Sequence, residues 1–388
     1  LLENAGKIEA ADGVIALKTA TAKKAVSSVV NHDGVEEGAV FIEEGGKIFL
    51  VSESEFLAKQ IEVEGKDLLV KGKMEAEKVT ILGKDIVLQD SFIDASLPCQ
   101  GGQVLIGGGF QGKGDFPYAS KVRMEEGSTI LANSLESGDG GLVVLWSKDH
   151  TLFDGVIDAK GGDLSGNGGL IETSSMGKLE VLGLANTYAP KGSYGEWLID
   201  PLVLKVEASA STTSCGHTGN SYGDCQTSPS SCSVLVSLIN AATSNVTLTA
   251  TSVSIDTAIN ITTTGVGLTV DSCGGSSSGI EANITTKGGK IEFKNGDATI
   301  VYNVTFDTTA GGAYPNGADV SISALEQFSP GGTAGLTIKA GSVGTVYLHC
   351  SDAAPSFIDI QSAASVSTNR ILTCGSSGFK MPTNKVLY

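Results

Sequence analysis

The chain is poor in arginine. Arg123 and Arg370 are the two arginines among 388 residues, which leaves little for bidentate clamping of phosphate or carboxylate groups. Proline numbers 9, too few for a collagen or a proline-rich linker. No basic block offsets the net charge of −17, an acidic balance that argues against nucleic acid or an anionic membrane as partner. Long apolar runs are absent too. The densest is Leu142-Val143-Val144-Leu145-Trp146, far short of the ~18 residues that a membrane-spanning helix needs. The first residue is Leu1 and no signal-peptide pattern follows it. The chain therefore reads as a piece of a longer or processed protein, with any membrane anchor outside it.

Glycine, in contrast, numbers 51 and apolar residues make up 41% of the chain. That is enough to bury a large core, so disorder of the whole chain is excluded. Residues 1–208 carry 19 basic and 32 acidic side chains, and residues 209–388 carry 7 and 11. The second part exchanges charge for Ser, Thr, Gly and Ala. It also holds Cys215, Cys225, Cys232, Cys273, Cys350 and Cys374, with Cys99 alone in the first.

A short unit recurs: a glycine turn, a polar residue, then an apolar strand. It starts at Gly46, Gly65, Gly83 and Gly102, 18–19 residues apart, and again at Gly141, 39 residues on, a step of about two units. Further units begin at Gly169 and Gly289. Between them lie second and third strands, such as Gln60-Ile61-Glu62-Val63 and Val79-Thr80-Ile81-Leu82. Helical spacing is confined to short windows, Glu55–Lys59 and Val234–Ala242. Strand signals dominate elsewhere, as in the alternation of Asn245–Thr251. A strand that buries one face gains most by stacking on its counterpart one turn away. Coils of about 18–25 residues with three short strands predict an all-β parallel β-helix, a β-solenoid with irregular loop excursions. Glycine suits its corners where tight turns need positive φ. Residues 1–208 and 209–388 read as one solenoid whose surface changes character.

Segments between Gly101 and Ala208 resemble the filamentous-haemagglutinin-like exoproteins of two-partner secretion systems, a family of large bacterial surface adhesins. The likeness rests on Gly101–Gly112, Gly140–Ser147, Thr151–Gly162, Gly166–Ser175 and Gly195–Pro201, in that order. Residues 1–100 and 245–348 are similar in style to the coils on either side of this block in the family. The resemblance implies a right-handed β-helix, passage through an outer-membrane secretion transporter, an extracellular or cell-surface location, and adhesion or surface-fibre work. It transfers no catalytic residue.

Several motifs look like chemistry and read better as architecture. Gly107–Gly112 fits G-x-G-x-x-G, but Lys113-Gly114-Asp115-Phe116-Pro117 opens no helix to hold a pyrophosphate. Gly275–Gly279 fits G-x-S-x-G within a low-complexity loop, without the strand and helix of a nucleophile elbow. Gly162–Gly169 has one aspartate, poor for Ca²⁺. The pairs Glu62 and Glu64, Glu75 and Glu77, and Glu125 and Glu126 are the carboxylates that a polysaccharide lyase would use; alternation places the first two pairs outward. His32, His150, His217 and His349 lack metal-ligand spacing, and Cys215, Cys225 and Cys232 lack a CxxC pair for zinc. The six late cysteines are candidate disulfide partners, 15 pairings being open. Asn245, Asn260, Asn283 and Asn303 each begin an Asn-x-Thr triplet and are expected at outward or corner positions of successive coils.

The expectation is a non-enzymatic surface protein with no catalytic, cofactor or metal residues. It would be an adhesin-like rod that meets a ligand on a host or neighbouring cell. The alternative is a structural subunit that binds copies of itself in a filament, sheath or surface layer. A polysaccharide-active enzyme is the remote alternative.

Overall fold

A computed structural model describes residues 7–18, 42–43, 47–49, 55–208, 232–272, 277–327, 334–350, 357–368 and 379–382. The chain divides into two compact units, Leu1–Leu198 and Ile199–Tyr388. Each is a parallel β-helix.

In the first unit the long strand Glu55–Glu75 lies parallel to Lys78–Asp94, with Gln60 opposite Lys78 and Glu75 opposite Asp94. Both strands bend through three successive segments, and each segment founds one face of the coil. The first face continues through Gln103–Ile106, Leu142–Ser147 and Leu170–Ser175. The second runs through Lys121–Met124, His150–Phe153 and Lys178–Val181. The third runs through Thr129–Leu131, Val156–Asp158 and Leu184–Asn186.

This register makes each inward position a column. Ile61, Val79, Val104, Val143 and Ile171 stack on the first face. Leu68, Ile86, Val122, Thr151 and Leu179 stack on the second. All of these are buried. Fully burying a side chain of this size stabilises by about 1.5–3 kcal/mol, so an in-register slip of one residue would forfeit the whole set.

The second unit is built the same way. Val246, Leu268, Ile291, Val320, Val346 and Val366 form one buried column. Ile259, Ile284, Phe306, Ile338 and Ile360 form another in a separate sheet. Phe293 and Phe306 stack across the interior at 5.2 Å between ring centres.

Three expectations from the sequence change. The step from Gly102 to Gly141 is one coil, since Gln103 pairs directly with Leu142; its extra length lies in loops rather than in a second turn. Gly83 and Gly102 are not equivalent, because Gly83 sits opposite Gly65 while Gln103 sits opposite Lys78. Glu55–Lys59 is strand, held by Lys7–Lys18 on one side through Glu55 opposite Lys7. The other helical window, Val234–Ala242, holds in its middle: Val236–Asn240 is an α-helix, and Val234 belongs to the strand Cys232–Leu235.

Positive φ accounts for part of the turn glycines, Gly127, Gly138 and Gly166 among them, while others need a second reason. A Cβ at Gly141 would lie 2.1 Å from the carbonyl oxygen of Gly102, at Gly169 2.1 Å from that of Gly141, and at Gly195 2.0 Å from that of Gly169. These glycines form a column in which each backbone rests on the backbone of the coil before. Close approach, not positive φ, selects glycine here.

Candidate functional site

Side chains along the second and third faces alternate between buried and exposed, as half-buried strands should. The first face does not. Leu142–Ser147 and Leu170–Ser175 are buried at every position after the first. The outward residues Leu105, Val144 and Glu172 are opposite one another on consecutive coils, and Trp146 is opposite Ser174. Something covers them.

The cover is the excursion of residues 107–120. Where the next coil turns with Lys148 and Asp149 alone, this coil loops out, and the Ala119 amide donates to the Gly107 carbonyl at 2.8 Å to close the base. Phe110, Phe116 and Tyr118 pack on Leu105, Val144 and Trp146. The Tyr118 and Trp146 rings meet at 4.8 Å, and the Tyr118 hydroxyl donates to the Gly112 and Gly114 carbonyls at 2.8 Å, a pair of alternative bonds. Gly107–Gly112, read from sequence as a loop between coils, is this lid, with a single 3-10 turn at Phe110–Gly112.

Beneath the lid, Glu172 has no exposed surface. Its carboxylate accepts the Gln111 amide at 2.8 Å and the Ser174 hydroxyl at 2.6 Å. Burial in this apolar setting disfavours the charged form and pushes its pKa up to about 7, against the pull of Ser174, the Gln111 amide and Lys113.

The third face is open. Val156 lies opposite Leu184 on the next coil, and both are exposed, Leu184 at 56%. Leu182 adds to this group across Gly183. In the following loops Leu164 is 73% exposed, and its amide donates to the Glu136 carbonyl beside exposed Leu135. Thr129 precedes Val156 in the same register, so the apolar pair spans two coils.

The second face is charged. Lys121, His150 and Lys178 stand in register, and Glu180 takes His150 Nε2 at 2.9 Å and pairs with Lys178. Burial pulls the His150 pKa below its ordinary value, against the raising effect of Glu180.

The other residues singled out from sequence are scattered. Glu62, Glu64 and Glu75 are half-buried on outward strand positions and Glu77 is exposed. Glu75 pairs with Lys73, and Glu125 with Arg123 at 2.7 Å. Among the described residues, no three His, Cys, Asp or Glu side chains are grouped as metal ligands. Gly162–Gly169 is a corner, where Ser165 bridges to Ser137 and the Asn167 side chain accepts the Ser193 amide at 3.0 Å. Ser277–Ile280 is strand rather than loop, and Ser278 is buried against Ser272; residues 275 and 276 lie outside the described residues. So do His32, His217, Cys215, Cys225, Cys273 and Cys374. Cys232 is buried, His349 is exposed, Cys350 ends the strand Thr345–Cys350, and Cys99 is an exposed free thiol.

Asn245 and Asn283 brace corners with their side chains, whereas Asn260 is exposed within the strand Ile259–Thr264. Asn245 accepts the Gly267 amide at 2.9 Å, Asn283 accepts the Thr305 amide at 2.7 Å, and the Asn260 amide donates to Asn240 at 2.6 Å. Each bond ties one coil to the next.

Sequence reasoning missed Glu172 and the Val156–Leu184 row. The signal for the first was the aromatic-rich excursion Phe110, Phe116, Tyr118. It could have been read as a lid, which turns an outward carboxylate into a buried one. The sequence matches no protein-family model and no curated protein.

Proposed function

We propose that this chain is a non-enzymatic, adhesin-like part of a bacterial surface protein, exported to the cell exterior and attached there to a ligand on a host or neighbouring cell. The observation that supports this most is the pair of exposed apolar side chains Val156 and Leu184 on stacked coils, with exposed Leu182 two residues before Leu184. Buried Ile157 and Ala185 stack beneath it, and it faces water without a covering segment among the described residues. The resemblance of Gly101–Pro201 to the filamentous-haemagglutinin-like exoproteins agrees with this reading, and with export through an outer-membrane transporter. In that oxidising setting the late cysteines form disulfides, buried Cys232 among them.

The same apolar row also suits a second reading, in which copies of the chain associate side by side into a filament or sheath. Electron microscopy of the purified protein at high concentration, with a parallel cell-binding assay, separates the two. Attachment predicts saturable binding to cells by protein that stays unpolymerised. Ordered polymers without cell binding would replace the adhesin by the structural subunit, and neither result would refute both.

A further inference from the structure

We propose that residues 107–120 form a pH-dependent lid, latched by Glu172, that opens above neutral pH and uncovers an apolar platform of Leu105, Val144 and Trp146. The proposal does not depend on the attachment reading.

The base of the lid is tied to neighbouring coils through the Gly107 amide on the Ile81 carbonyl, the Ser120 amide on the Lys84 carbonyl and the Lys148 amide on the Ala119 carbonyl; near its tip, the Gln111 amide reaches Glu172 at 2.8 Å, and this contact is the latch. Gln111 adopts φ +53°, the left-handed region, to present that amide. The lid reaches past the coil of Leu142–Ser147 to the coil beyond it. Between base and tip the lid packs through Phe110, Phe116 and Tyr118. Around the latch few charges are present. Lys113 on the lid faces Glu172, and its Nζ is tied to Gln111 Oε1 at 2.8 Å. Asp115 on the lid is exposed. Lys148 sits over the Tyr118 ring at 5.4 Å. The strands Gln103–Ile106 and Leu142–Ser147 carry no ionisable side chain, and the strand of Glu172 carries no other. The next coil brings Glu196, which is exposed.

A carboxyl group in this setting stays protonated until near neutrality. Below that point the closed lid buries a neutral group. Above it, closure must hold a charge away from water with one cation nearby, whereas the open form hydrates it. Ionisation therefore favours opening. Opening would expose Trp146 and Tyr118, side chains suited to recognition.

The test compares the wild-type chain with Glu172→Gln, which keeps the acceptor oxygen and removes the titration. Hydrogen exchange at the Gln111 amide, corrected for its intrinsic pH dependence, reports opening. Between pH 5.5 and 8.5 the wild type should open more readily by roughly thirty-fold, as expected for a carboxyl at about 7 when closed and 4.5 when open. Glu172→Gln should stay flat. Equal pH profiles for the two proteins would overturn the proposal. If Glu172→Gln fails to fold, the wild type alone decides. Protection at Gln111 must fall with pH while that at Thr151, in the strand His150–Phe153 on the second face, holds; parallel behaviour of both amides would refute the lid.

Discussion

The glycine column gives the sharpest test of how the coils stack. Consider Gly169→Ala. The added methyl would lie 2.1 Å from the Gly141 carbonyl oxygen and 2.6 Å from the Gly140 carbonyl carbon. Both are backbone atoms, so no side chain can swing away. Relief needs the two coils to part by about 1 Å, far beyond what a close-packed interior absorbs freely. Two hydrogen bonds sit at that point: the Leu170 amide to the Gly141 carbonyl at 2.9 Å, and the Gly169 amide to the Ala159 carbonyl at 2.7 Å. Leaving a buried backbone group unpaired costs roughly 1–3 kcal/mol. With both bonds strained, the loss should be roughly 3–5 kcal/mol. Gly279→Ala is the matched control. It lies in the strand Ser277–Ile280 with open space where the methyl would go. Alanine there should change stability by less than about 1 kcal/mol, toward stabilisation. Urea unfolding of both variants, followed by circular dichroism, measures the difference. A Gly169→Ala protein as stable as the wild type would refute the backbone-on-backbone stacking.

Two further outcomes follow from single residues. The His150 imidazole should titrate below 6.5 by NMR, because burial outweighs the Glu180 carboxylate; its neutral form then favours the folded state, and that contribution declines as pH falls through the lowered value. A midpoint above 6.5 would mean that the Glu180 contact dominates. Iodoacetamide on the native, unreduced protein should alkylate exposed Cys99 promptly and spare buried Cys232. Equal labelling of both, read by peptide mass mapping, would contradict the proposed disulfide at Cys232.

Much of the solenoid was legible because coils of equal length repeat at a fixed offset. Gly65 and Gly83 do face each other, and so do Gln60–Glu64 and Lys78–Leu82. The period stopped being readable where excursions lengthen a coil: counting residues from Gly102 to Gly141 cannot tell two short turns from one turn with loops. Hydrogen bonding decides, and it pairs Gln103 with Leu142. Alternation reaches only part of the way for a related reason. It correctly placed Glu62 and Glu64 outward, yet at Glu172 an outward position is a buried one, because a lid from two coils away covers it. Local pattern reports which face a side chain joins, not what later packs on that face. Glycine chemistry was half legible: corners were expected, but the contact of one corner with the next is a tertiary fact.

If the exposed row on the third face makes the proposed attachment, Val156→Asp with Leu184→Asp should weaken it. Both side chains already face water on adjacent strands, so the double variant should keep the wild-type circular dichroism spectrum and unfolding midpoint. Binding of labelled protein to cells should then fall at least tenfold. Undiminished binding by a folded double variant would contradict that role of the row.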